Sequence, residues 1–141
     1  MGYAKQFDFI KFVVPAFLQT IEWQDVSWGN DACPRFENED LCIAVWVAEH
    51  EPEDREIDDM KEYTVCRLIL HKNDCPTLED DDLFSTDSIN KLLEWIELEK
   101  SIQTIEHCIT VFNNMTTPIE ECQDSLVTCL TRLQEMQKEL N

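Results

Sequence analysis

At 141 residues the chain is about one domain long, and 43% of it is hydrophobic, enough to bury a core without disulfides or metals. Thirty acids against eleven bases give a net charge of −19. That charge sets the chain against direct binding to DNA, RNA or an anionic membrane, since such ligands need basic patches. Two glycines exclude a glycine-rich phosphate loop, and no run reaches the ~18 apolar residues of a membrane span.

The first twenty residues, MGYAKQFDFIKFVVPAFLQT, interrupt their apolar stretch with Asp8, Lys11 and Pro15 and show no small-residue cleavage site, so they do not read as a signal peptide. The expected compartment is the cytosol. Seven cysteines without a C-x-x-C pair are expected there as reduced thiols, most of them small hydrophobes on apolar runs, such as Cys42, Cys66, Cys122 and Cys129.

Phe9, Phe12, Val13, Phe17 and Ile21 recur at helical spacing and predict an N-terminal helix over 7–21, with Pro15 as a kink or a fresh start. Gln24–Trp28 predicts a short strand, closed by the turn residues Gly29-Asn30-Asp31. Leu41–Glu49 (LCIAVWVAE) is almost wholly apolar and predicts a central strand buried on both faces; Tyr63–Leu70 predicts a second strand. The acidic stretch between them, EHEPEDREIDDMKE, makes the pair an antiparallel hairpin with a long connection. Glu79–Asp82 falls in a second irregular region, and Ser85–Asp87 offers a helix N-cap. Leu98, Ile102, Ile105, Ile109 and Phe112, then Ile119, Cys122, Leu126, Cys129, Leu133, Met136 and Leu140, follow heptad spacing. Thr117, Pro118 and Glu120 form a capping box at the start of the second helix. The expected architecture is α+β: an N-terminal helix, a small antiparallel sheet of about three strands and a C-terminal antiparallel helical hairpin. It is expected as one domain, with 1–84 forming helix and sheet and 85–141 the hairpin.

Catalytic patterns are sparse. Cys66, His71 and Cys75, spaced C-x4-H-x3-C, lack the tight pairs and fourth ligand of a structural zinc site. EPEDREIDDM lacks the glycine and spacing of a calcium loop, and no G-x-S-x-G or comparable nucleophile signature occurs. The expectation is a protein without catalysis, metal or cofactor.

WQDVSWGNDACP, Trp23–Pro34, carries two tryptophans among turn-forming residues. It reads either as a structural corner or as a binding rim with Trp28 as an aromatic anchor. As W-x-D-x-S-W-x-N-D-x-x-P it resembles a pattern in small phage and plasmid proteins with no assigned activity. The likeness runs from about Trp23 to Arg55 and implies a mobile-element setting but no catalytic residue.

The acids are concentrated. Residues 37–62 hold eleven acids against two bases, Arg55 and Lys61. Charge runs are usually solvated loops. In an extended chain, however, Glu49, Glu51 and Glu53 would share one face about 6.6 Å apart, a spacing that approximates the charges of a nucleic-acid strand. The candidate partner-binding residues are therefore Glu49, Glu51, Glu53, Asp54, Glu56, Asp58 and Asp59, with Glu79, Asp80, Asp81, Asp82 and Trp28. The expected function is an acidic binding protein that blocks a basic nucleic-acid-binding surface by charge mimicry, sharpened by the resemblance to an inhibitor of the anti-CRISPR or anti-restriction type. Its expected partner is a protein with a basic surface, with a homodimer through the C-terminal helices as a further expectation. The alternative is an acidic secretion chaperone or immunity-type partner.

Overall fold

Five strands pair in chain order into one antiparallel sheet: β1 (Gln24–Asp25), β2 (Arg35–Asn38), β3 (Ile43–Val47), β4 (Tyr63–Ile69) and β5 (Thr77–Thr86). Two helices follow, α1 (Ile89–Asn113) and α2 (Glu120–Glu139). This computed structural model describes residue 7, residues 11–115 and residues 120–141. The chain divides into two compact units, Met1–Ile89 and Asn90–Asn141.

In the first unit the β-branched run at 43–47 takes the central position, and its side chains are buried on both faces except at Trp46, which is half-buried. The rung Phe36–Val45–Val65–Phe84 defines one face, and all four side chains are buried. Each such burial stabilises the fold by about 1.5–3 kcal/mol. Arg35–Trp46–Thr64–Ser85 is the next rung, and period two turns it to the opposite face. That second face is polar, and the candidate site is built on it. A four-residue connection joins β2 to β3: Asn38 Oδ1 accepts from Leu41 N–H at 3.0 Å, and Cys42 closes the turn at φ 50°.

Three expectations are corrected. The sheet has five strands rather than about three, because Arg35–Asn38 and Thr77–Thr86 are both strands. The N-terminal helix over 7–21 is not formed. Among the described residues of that span only Ala16–Gln19 coil, as a single 3-10 turn that starts directly after Pro15. A ring that fixes φ and removes an N–H allows a new turn to start there but not a helix to continue through it. Finally, Asp87 does not cap α1; its carboxylate is held by the 49–62 segment, and the Thr86 hydroxyl accepts from Ser88 N–H at 3.0 Å.

The second unit is an antiparallel helix pair. Gln123 Nε2 donates to Asn113 Oδ1 at 2.8 Å, and Gln137 Nε2 to Glu99 Oε2 at 2.9 Å. The two bonds are equally spaced along both helices, which fixes direction and register together. The seam on α2 is rotated from the expected one. Gln123, Leu126, Leu130, Leu133, Gln137 and Leu140 are half-buried, whereas Cys122, Cys129 and Met136 are exposed. The glutamines turn inward because α1 supplies acceptors for their amides. Thr117, Pro118 and Ile119 lie outside the described residues; Glu120 is the first residue of α2.

Candidate acidic site over the second sheet face

The connection between β3 and β4 holds eight acids, which should repel one another into an open loop. A single guanidinium organises it instead. The Arg55 side chain is 5% exposed. Its Nε donates to Glu49 O at 2.8 Å, Nη1 to Met60 O at 2.7 Å, and Nη2 to His50 O at 3.0 Å. Nη1 also meets Asp87 Oδ1 at 2.8 Å. The planar fork of arginine suits this task, since it can reach several carbonyls at once without rearranging. Asp87 closes the loop from the end of β5: Oδ1 accepts Glu62 N–H at 3.0 Å, and Oδ2 pairs with Lys61 Nζ at 3.0 Å.

At the loop's base Glu62 is buried and accepts at Oε1 from Tyr63 Oη at 3.2 Å, with His50 Nδ1 at 2.9 Å. A 3-10 turn at Pro52–Asp54 and Asp59 at φ 67° complete the fold-back; aspartate tolerates that left-handed conformation better than most residues.

Folded back, the loop lies on the polar sheet face and borders a half-open cavity of about 470 Å³. Trp46, Thr64, Cys66 and Asp82 form its floor. Glu56 through Lys61 form its roof, Ala32 and Cys33 one side, and Glu49 lines it from the start of the loop. Asp82 reaches the floor because β5 shifts register between Val65 and Cys66 and again between Cys66 and Leu68; such bulges re-aim side chains beside sites. Its Oδ1 accepts from the Cys66 thiol at 3.4 Å. Beside the cavity, Arg35 stacks over the Trp46 ring at 4.9 Å and pairs with buried Glu37 at 3.4 Å. Burial raises the Glu37 carboxyl above its usual value, with Arg35 opposing.

The two thiols of the cavity are protonated at neutral pH. Burial pushes Cys33 up to about 12, with Glu49, Asp31 and Glu56 adding to it. Burial, then the bond to Asp82, pushes Cys66 up to about 12. Neither is the thiolate that nucleophilic or metal chemistry uses. Among the described residues no group of three His, Cys, Asp or Glu side chains is placed to hold a metal ion. His71 turns to Thr77 Oγ1 at 2.8 Å, and Cys75 is exposed. Exposure of Cys122 and Cys129 on α2 also corrects the expectation that they are core thiols.

The candidate carboxylates separate into four groups. Glu51, Glu53 and Asp54 are exposed on the outer loop. Glu56, Asp58, Asp59 and Asp82 are exposed and also line the cavity. Glu49 is 8% exposed and faces inward, so the alternating row of Glu49, Glu51 and Glu53 does not exist; the chain there is turned, not extended. Glu79, Asp80 and Asp81 are exposed on the edge strand β5, and Trp28 is 63% exposed beside its turn; none of these four lines the cavity. The organising residues Arg55 and Asp87 and the floor residue Trp46 were not singled out as site residues by sequence. The one available signal was a lone arginine inside an acidic run.

The loop's ion pairs make stability depend on pH in two windows. The hydrogen bond to Glu62, then its charge, raises His50 above the ordinary histidine value. The pairing therefore stabilises the fold fully below the unfolded value of about 6.5 and is lost as pH rises through the higher folded value. For Asp87, burial acts upward but is outweighed by the Glu62 N–H, Lys61 and Arg55, leaving the carboxyl below its usual value. Its contribution is present above the unfolded value of about 3.9 and fades as pH falls through the lower folded one. Thermal melts across pH are expected to show a His50→Gln variant flattened above about pH 6.5 relative to the parent, with the acid limb unchanged. An unaltered upper limb would remove His50 from the account.

Among the described residues no helix is long and apolar enough to cross a membrane. Compared with known proteins, the chain matches no family model, no curated protein and no solved structure.

Proposed function

We propose that the chain is a non-catalytic binding protein whose acidic face, the 49–59 loop with the β5 edge, engages a basic protein surface. The observation that carries this reading is the Arg55 hub: the loop is held by five hydrogen bonds, four from the guanidinium and one from Glu62 N–H to Asp87, while Glu51, Glu53, Asp54, Glu56, Asp58 and Asp59 stay exposed. A solvated charge run has no need of such an anchor. Preorganised charge lowers the ordering cost of association and speeds encounter. The target class that fits is a nucleic-acid-binding complex with a cationic channel, of the kind that phage and plasmid inhibitors block, and the setting is the host cytoplasm. A second reading, pairing of two copies or of a client along α2, is favoured by the exposed flank of Cys122, Cys129 and Met136.

The test is capture from host lysate at low salt by the immobilised protein. The captured species is expected to bind nucleic acid, to be displaced by duplex DNA, and to elute as salt rises from about 0.1 M to 1 M and the Debye length shrinks from about 10 Å to 3 Å. Neutralising Glu51, Glu53 and Asp54 together (Gln, Gln, Asn) is expected to weaken capture roughly tenfold to thirtyfold, at about 0.5–0.7 kcal/mol per rim charge. Salt-insensitive capture that survives neutralisation would reject charge mimicry and favour the α2 flank.

A further inference from the structure

We propose that the cavity beneath the loop is a receptor for one arginine side chain of the basic partner, a specific anchor within the broader charge contact. The inference rests on the reading above and adds to it a defined guanidinium site. Three observations converge. The cavity, at about 470 Å³, is of the size that holds small ligands, so it admits a side chain together with part of its flanking backbone. Its walls are chemically divided: Trp46, Ile57 and Met60 offer apolar surface for an alkyl stem, while Asp82 from the floor and Glu56, Asp58 and Asp59 from the roof offer acceptors around the head.

Glu49 decides the sign and the depth of the site. It lines the cavity, is 8% exposed, and its carboxylate makes no hydrogen bond or ion pair among the described residues; only its backbone carbonyl is used, by Arg55. Its carboxylate oxygens are not fully buried, so in the free protein they face solvent, and an incoming cation supplies the charged partner that no described side chain does. The resident cations do not serve: Arg35 lies over the Trp46 ring and pairs with Glu37. Arg55 is spent on three carbonyls and Asp87, and Lys61, though it lines the cavity, is drawn to Asp87. A guanidinium fits better than an ammonium because acceptors lie on more than one side: a planar fork can donate in several directions at once.

The experiment titrates the folded protein with butylguanidinium and with its neutral analogue butylurea, read by the Trp46 indole N–H signal in NMR. Butylguanidinium is expected to shift that signal saturably and butylurea at least tenfold more weakly. Glu49→Gln is expected to weaken butylguanidinium at least tenfold; Glu22→Gln, an exposed control in the same unit, is expected to leave it unchanged. Because Glu49→Gln removes a charge that no described side chain pairs, the free variant is expected to melt no lower than the parent, and a lower melting temperature would show that Glu49 has a structural role instead. Equal binding of the two probes, or binding indifferent to Glu49→Gln, overturns the site. Measured alongside, partner capture separates the two claims. Salt-sensitive capture without probe binding rejects the cavity and keeps the acidic-face reading, and loss of both rejects both. Probe binding that depends on Glu49, with capture unaffected by Glu49→Gln, rejects the arginine anchor.

Discussion

Replacing Arg55 with alanine is expected to cost the fold about 3 kcal/mol, roughly 10 °C of melting temperature for a chain of this size. The guanidinium makes four hydrogen bonds, three to backbone carbonyls and one to Asp87. At about 1 kcal/mol net for each bond, part of the loss is recovered when the released carbonyls meet water. The same change frees the loop, so amide exchange across 49–62 is expected to accelerate while that of β3 and β4 does not. Arg55→Lys keeps the charge but replaces the fork with a single ammonium, and about half of the loss should return. Partner affinity is the sharper readout. Arg55→Ala makes the face more acidic, so a reading based on charge alone predicts tighter binding to a cation. Presentation by a fixed loop predicts weaker binding, since a mobile loop must be ordered on contact. A melting temperature within about 1 °C of the parent would mean that the guanidinium does not hold the loop.

The parts of this molecule that were legible in the sequence are those where local pattern and tertiary role agree. The apolar runs at 41–49 and 63–70 became β3 and β4, paired antiparallel with Val47 opposite Tyr63, and the long connection fell where expected. The heptads gave two helices; the α1 seam fell as expected, and the α2 seam was misplaced by one position at Cys122, Cys129 and Met136, at two of the three because glutamine counts as polar until a partner is known. Strand β5 was hidden: its centre, Glu79–Asp82, carries four successive acids, and acids are depleted in strands. An edge strand lifts that restriction because its outer side faces water, and charge there also discourages pairing with other chains. The register shifts beside Cys66 further erase the period-two signal. At the site, the carboxylates were legible as candidates but their arrangement was not. Arg55 meets Asp87 across 32 residues, and no local spacing encodes that meeting. Nor does composition reveal that Glu49 faces inward while Glu51 does not.

The acidic edge strand pairs along β4 and buries one aromatic side chain in the core, whose loss should be severe. Phe84 is 2% exposed and stands opposite Val65 on the buried face. Phe84→Ala is expected to cost about 3–5 kcal/mol, from lost burial plus the cavity left behind, which corresponds to a fall in melting temperature of 10 °C or more. Leu83 is the informative comparison. It lies between the residues paired with Cys66 and Val65, at the register shift, and is half-buried; Leu83→Ala is expected to cost about 1 kcal/mol or less. A slip of one residue exchanges the two faces of a strand. If β5 were paired one residue out of the register described, Leu83 would fill the core and Phe84 would face out, and the order of the two losses would invert. The same slip would turn Asp82 away from Cys66 and empty the floor of the cavity of its carboxylate. Paired melts of the two variants therefore test the placement of the acidic edge and, through Asp82, the geometry on which the cation site depends. A larger loss for Leu83→Ala than for Phe84→Ala would discard both.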